Sequence, residues 1–242
     1  MRRVLFAAIA APLLLLIGTA ASAGDFANLD IIGFSTDGDT FAFEQYGEHD
    51  GSGAPYSDIF VIDVDRDAWV AGTPIHVDPR NEDSRLDAVR SQAATRAAPL
   101  LAKLGVSKEG LAVVSNPASE LGNDPYHVRF LTGLMPDFGS NAWSLALTLL
   151  RFPEPSGCEN LGPTNGFRLV LTEPNGAAHI LNEDRALPAS RGCAQDYAIS
   201  HVVTYRPTEG ESAMVVLLSV VLPGFEGPDR RYLAVATRFA ER

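Results

Sequence analysis

Alternating apolar and polar side chains, the mark of a strand with one buried face, recur along most of this chain. The alternation predicts strands over Leu29–Phe34, Thr40–Tyr46, Tyr56–Val64, Leu111–Ser115, His127–Leu131, Trp143–Phe152, Gly166–Thr172, Ala178–Asn182, Tyr197–Tyr205, Ala213–Leu222 and Arg231–Phe239. Phe41 and Phe43 share one face of their strand, as do Phe60, Ile62 and Val64 of the next. Asp37-Gly38 supplies the positive φ of a tight turn between the first two strands, and Asn175-Gly176 predicts a type I′ hairpin. Ala213–Leu222 breaks the pattern, being apolar at almost every position before Pro223-Gly224 stops it. It is too short to cross a bilayer, so it reads as a central strand buried on both faces.

A period of three to four residues appears once. Leu86, Val89, Ala93, Ala97, Leu100 and Leu104 trace one face of a helix between Glu82 and Leu104. Asn81 or Ser84 can cap its start and Gly105 its end, while Pro99 predicts a kink or a break. Arg85, Arg90 and Arg96 fall on the face expected to be solvated. The fold class that follows is mainly β (α+β): an antiparallel β-sandwich or partly open barrel with one helical segment near 82–104.

The first residues obey a different logic. Arg2 and Arg3, an apolar run from Val4 to Ile17, and Ala21-Ser22-Ala23 form the three parts of a secretory signal peptide. Cleavage after Ala23 removes residues 1–23, leaves residues 24–242 as a single secreted β-rich domain, and leaves no membrane span. It also removes two arginines and no acid, which moves the net charge from −11 to −13. That sign disfavours nucleic acid and anionic lipid as partners. Export to the periplasm or beyond changes the reading of Cys158 and Cys193 as well, because an oxidising compartment favours a bridge between them.

Two resemblances follow from longer motifs. Gly33-Phe34-Ser35-Thr36-Asp37-Gly38-Asp39-Thr40-Phe41-Ala42-Phe43 through Ile59-Phe60-Val61-Ile62-Asp63 resembles one blade of a TolB-type β-propeller. The unit occurs once, whereas a propeller needs several, so it reads as a shared strand–turn–strand unit. Phe43-Glu44-Gln45-Tyr46-Gly47, Asp50-Gly51-Ser52-Gly53, Trp69-Val70-Ala71-Gly72-Thr73-Pro74, Leu187-Pro188-Ala189-Ser190-Arg191-Gly192-Cys193 and Pro223-Gly224-Phe225-Glu226-Gly227-Pro228-Asp229-Arg230-Arg231 are similar to an uncharacterised bacterial family of predicted secreted proteins, a domain of unknown function. That resemblance implies export and a shared fold, and brings no activity and no site residues.

Candidate chemistry is sparse. Asp63-x-Asp65-x-Asp67 places three acids at alternate positions, as a calcium loop requires, and Asp37, Asp39 or Asp50 could add oxygens. An EF-hand is excluded, since Ala68 and Pro74 stand where Gly and Glu belong. His49, His76, His127, His179 and His201 form no zinc-binding spacing and read as residues hydrogen-bonded in place. No Gly-x-Ser-x-Gly elbow or phosphate loop occurs; Ser52 beside His49 lies in a glycine loop better suited to turning the chain. Glu44, Glu48, Asp50 and Asp58 are candidate glycosidase carboxylates without a spacing that fixes their separation. The 225–231 loop reads as a rigid connection with an Asp229–Arg230 pair. The expectation is a non-enzymatic periplasmic protein without an obligate cofactor that binds an envelope protein or a small ligand. The alternative is an exported hydrolase with a site assembled from distant residues.

Overall fold

Strand pairing in the computed structural model, which describes residues 24–117, 120, 122–132 and 141–240, follows the hydrophobic alternation closely. The signal-peptide reading of residues 1–23 lies outside the described residues. In chain order the elements are β1 (Asn28–Ser35), β2 (Thr40–Glu48), β3 (Pro55–Asp63), β4 (Ala68–Trp69), β5 (Ile75–Val77), α1 (Leu86–Leu104), β6 (Val106–Lys108), β7 (Leu111–Ser115) and β8 (His127–Phe130). They continue with β9 (Trp143–Phe152), β10 (Thr164–Thr172), β11 (Ala178–Glu183), a 3-10 turn at Ala189–Arg191, β12 (Asp196–Tyr205), β13 (Ser212–Leu222) and β14 (Asp229–Phe239).

Three antiparallel sheets result. The first runs β4-β3-β2-β1-β6 with β5 also paired to β3, the second β14-β13-β12-β7, and the third β11-β10-β9-β8. None closes into a barrel. The sheet holding β13 lies in the middle of the stack, because the side chains of its two faces enter different cores. Met214, Val216, Leu218 and Val220 meet Trp143, Leu145, Phe167 and Leu169 of the third sheet. Ala213, Val215 and Leu217 meet Phe34, Phe41, Phe43 and Phe60 of the first. The doubly buried reading of Ala213–Leu222 therefore holds, and the fold is a β-sandwich extended by a third sheet.

The helix covers the outer face of the first sheet, burying Val89, Ala93 and Ala97 against Ile59 and Val77. Several local expectations are corrected here. Pro99 neither breaks nor interrupts α1; it sits on the exposed side while Ala97 and Leu101 hold the flanking turns on the sheet. Neither Asn81 nor Ser84 caps the helix: Arg85 occupies the cap position, and Asn81 builds the preceding turn by accepting from Ser84 and Asp83. Gly105 ends the helix at φ 67°, as expected. Arg90 is not a free solvated residue. It donates to Glu44 at 3.0 and 2.7 Å and to Asp30 at 2.7 Å, and covers the Tyr46 ring at 3.6 Å. The hydrogen bonds to Glu44 raise its pKa, and the cluster pins α1 to β2.

Both hairpin turns use glycine, by one device. Gly38 (φ 77°) donates to Ser35 O, and Gly176 (φ 88°) donates to Glu173 O. Asn175 lacks the positive φ that type I′ requires; the turn is instead a type I turn through Pro174 and Asn175, closed by a left-handed glycine. The propeller-like segment forms β1, β2 and β3 of the first sheet.

Candidate functional site

β14, the edge strand of the middle sheet, packs against β3 on one side and β11 on the other. Between β14 and the first sheet runs a cleft of about 680 Å³, within the size range of small-ligand sites. The first sheet contributes Gln45, Asp58, Phe60, Trp69 and His76, with Pro74 beside them. Val220, Leu222 and residues Arg231–Ala234 come from the middle sheet, and Pro188, Ser190 and Arg191 from the 3-10 turn.

Its polar groups are ordered by one another. Asp58 stands opposite Gln45 in the β2–β3 register, so both point to the same face. Gln45 donates through Nε2 to Asp58 Oδ2 at 3.1 Å, and Asp58 Oδ1 meets His76 Nδ1 at 2.7 Å. The other end of the Gln45 amide accepts the backbone N–H of Tyr232 at 2.8 Å. A side chain of β2 thereby caps the outer edge of β14. Asp67 does the same from the turn before β4, accepting the Ala236 N–H at 2.7 Å from a backbone of φ 46°. Burial raises the pKa of its carboxyl, opposed by that hydrogen bond and the charge of Arg191.

Both arginines of the cleft are anchored behind it. Arg191 forms an ion pair with the buried Asp184 and lies over the Phe167 ring at 4.6 Å. Arg231 pairs with the buried Asp25 and lies over the Tyr56 ring at 4.7 Å. Tyr56 donates to the second oxygen of Asp25 at 2.8 Å, and burial drives its pKa up. His49 completes this cluster, 3.5 Å from Asp25 and 3.0 Å from Asp78. The wall carrying Arg191 is fastened a second time, since Cys193 is bonded to Cys158 with a Cα separation of 5.5 Å. The predicted bridge is present.

The acids of the calcium-like pattern go to separate partners. Asp63 receives Arg66 at 2.7 Å, Asp65 receives Arg238 at 2.7 Å, and Asp67 holds Ala236. Asp39 pairs with the same Arg238, Asp37 accepts from Ser35 and Asp39, and Asp50 accepts the Glu226 N–H at 2.7 Å. Among the described residues no three His, Cys, Asp or Glu side chains converge as a metal site would need.

The remaining candidates separate in the same way. Glu44 faces α1 whereas Asp58, opposite the next residue of β2, faces the cleft. Those two carboxylates are therefore divided by the sheet. Ser52 accepts the Ala54 N–H at 3.2 Å and shapes its turn. All five histidines are hydrogen-bonded: His127 meets Asp124, His179 meets Glu173, and His201 meets Ser200. Asp229 accepts the Asp25 N–H at 3.0 Å in place of the expected Arg230 pair, while Arg230 lies over Phe26 at 4.9 Å.

Sequence reasoning missed the cleft because its members span β2 to β14 with no shared spacing. The signals available were a polar Gln45 on an otherwise apolar strand face and a tryptophan in a Gly/Pro turn. Comparison with curated proteins of described function gives no match. A family model described as a predicted secreted protein (DUF2259) matches residues 42–238, which takes in every residue lining the cleft. The chain belongs to that family of predicted secreted proteins of unknown function.

Proposed function

We propose that this protein is cleaved after Ala23, works in the periplasm or outside the cell, and binds a small ligand without transforming it. One observation carries the reading: a largely apolar cleft with a few converging polar groups lies between the first sheet, the edge strand of the middle sheet and the 3-10 turn. Ligand sites combine such features, with apolar surface for affinity and few polar groups for orientation. Trp69 adds an exposed aromatic face, with 52% of its surface accessible, seated against Phe60 at 5.9 Å. Trp143 is buried, so a Trp143→Phe variant reports on Trp69 alone. Titrating that variant with the small-molecule fraction of a bacterial envelope extract is expected to change its fluorescence saturably, and Leu233→Arg is expected to abolish the change. A flat titration contradicts the reading.

The Asp58–His76 pair favours a second reading, hydrolysis. A carboxylate on Nδ1 orients an imidazole as a general base requires. Ser190 lies in the same cleft, and among the described residues no hydrogen bond joins it to His76. Turnover of nitrophenyl esters or glycosides, abolished by His76→Ala, would establish the second reading over the first.

A further inference from the structure

The backbone of β14 narrows the ligand class. Its register with β13 runs unbroken from Ser212↔Phe239 to Leu222↔Asp229. In such a strand, N–H and C=O groups of alternate residues point the same way. Arg230, Tyr232, Ala234 and Ala236 therefore present theirs outward, away from β13. The outward groups of Arg230 are taken by the segment before β1: Arg230 N donates to Asp25 O at 2.9 Å and Ala27 N donates to Arg230 O at 3.1 Å. The Tyr232 N–H is taken by Gln45 and the Ala236 N–H by Asp67. Ala234, midway between them and lining the cleft, keeps its outward N–H and C=O for what enters there.

That gap has a definite size. Residues 232 and 236 are four apart, about 14 Å along an antiparallel strand. Gln45 and Asp67 stand at its two ends, so a peptide adding as a further strand would run into both. A single amide fits, because it offers one acceptor and one donor to Ala234. Both arginines of the cleft are paired, Arg191 with Asp184 and Arg231 with Asp25, and its carboxylates accept hydrogen bonds, Asp58 from Gln45 with His76 on its other oxygen, and Asp67 from the Ala236 N–H. An anionic ligand would gain no free cation there. The His76 side chain is 62% exposed and has only Nδ1 engaged by Asp58, which leaves Nε2 for a hydroxyl. Trp69 offers its face to a ring of C–H groups.

An uncharged molecule with an apolar ring face, hydroxyl groups and one amide meets all of these conditions. We propose that the cleft binds a neutral saccharide carrying an acetamido group, its amide on the backbone of Ala234 and its pyranose face on Trp69. This rests on the ligand-binding reading of the same cleft.

The test is calorimetric titration of the chain from Gly24 onward with two trisaccharides of the same β-1,4 backbone, tri-N-acetylchitotriose and cellotriose, and with trialanine. Chitotriose is expected to bind about tenfold more tightly than cellotriose, the worth of one well-made hydrogen-bonded group. Trp69→Ala is expected to abolish binding, and Trp69→Phe to restore part of it with the fold intact. Equal affinity for the two saccharides, or preference for trialanine, overturns the acetamido assignment. Failure of all three probes, while the Trp143→Phe variant still reports saturable binding from the extract, overturns the assignment and leaves the cleft reading standing. Failure of the probes and the extract together overturns both.

Discussion

β13 and β14 are neighbours in one sheet and pair along their whole length, yet they solve opposite problems. β13 is buried on both faces and hydrogen-bonded on both edges, so nearly every position from Ala213 to Val220 is apolar or small. β14 has one paired edge and one edge facing the cleft, and its sequence mixes Arg231, Tyr232 and Arg238 with Leu233, Val235 and Phe239. An exposed edge invites pairing with another chain, and proteins cover it with side chains or short segments. Here Asp25–Ala27, Gln45 and Asp67 provide cover on either side of Ala234, which faces the cleft. Stability in this sheet is thus set by β13, while specificity is set by what other parts of the chain bring to β14.

The largest contrast is expected in packing. Leu217→Ala, at a fully buried position, should cost about 4 kcal/mol by the cavity it opens. Leu233→Ala, part-buried in the cleft, should cost about 1 kcal/mol. Urea midpoints of the two variants check this, and equal losses would break the distinction between the strands.

Next comes the clip on the far wall of the cleft. Replacing Cys158 and Cys193 together by Ser should lower stability by about 3 kcal/mol, because the bridge closes a loop with a sequence separation of 35. Thermal unfolding under matched conditions measures it. The same double variant should weaken ligand binding, since Arg191 is two residues from Cys193.

Gln45→Ala removes the edge cap itself. It leaves the Tyr232 N–H without its acceptor and Asp58 Oδ2 without the Gln45 donor, a loss of about 2 kcal/mol. Sedimentation should also show concentration-dependent association through the uncovered edge. A variant that is both stable and monomeric would mean that Gln45 protects nothing.

The smallest effect belongs to Asp67. Burial raises its folded pKa above the ordinary 3.8, so the folded state binds more protons than the unfolded chain between those two values. Its contribution to stability therefore falls as the pH rises through that window. Asp67→Asn keeps an acceptor for the Ala236 N–H and removes the charge. It should flatten this part of the stability–pH curve and gain less than about 1 kcal/mol at neutral pH, as read from denaturation curves across the window.

How much of this the sequence discloses depends on how local each cause is. Period-two alternation marks the long strands because each strand's own pattern decides its buried face. β4, β5 and β6 escape because two or three residues cannot show a period, and they exist by pairing with β3 and β1. Asn175 illustrates a finer limit: Asn-Gly marks the turn, but Pro174 ahead of it selects the turn type. The Asp63, Asp65, Asp67 pattern is visible in the chain, yet their partners, Arg66, Arg238 and Ala236, lie up to 173 residues away. The cleft is less legible still. Gln45, Asp58, Trp69 and His76 of the first sheet line one cleft with Ala234 only after the middle sheet has stacked on it.

The most direct test follows the backbone amides of β14 by NMR, free and with tri-N-acetylchitotriose. The account predicts that in the free protein the Ala234 amide exchanges with solvent faster than those of Tyr232 and Ala236. On titration, the Ala234 amide and the Trp69 indole should move together, with Ala234 gaining protection. An Ala234 amide already as protected as its neighbours, or shifts confined to another face of the molecule, would contradict it.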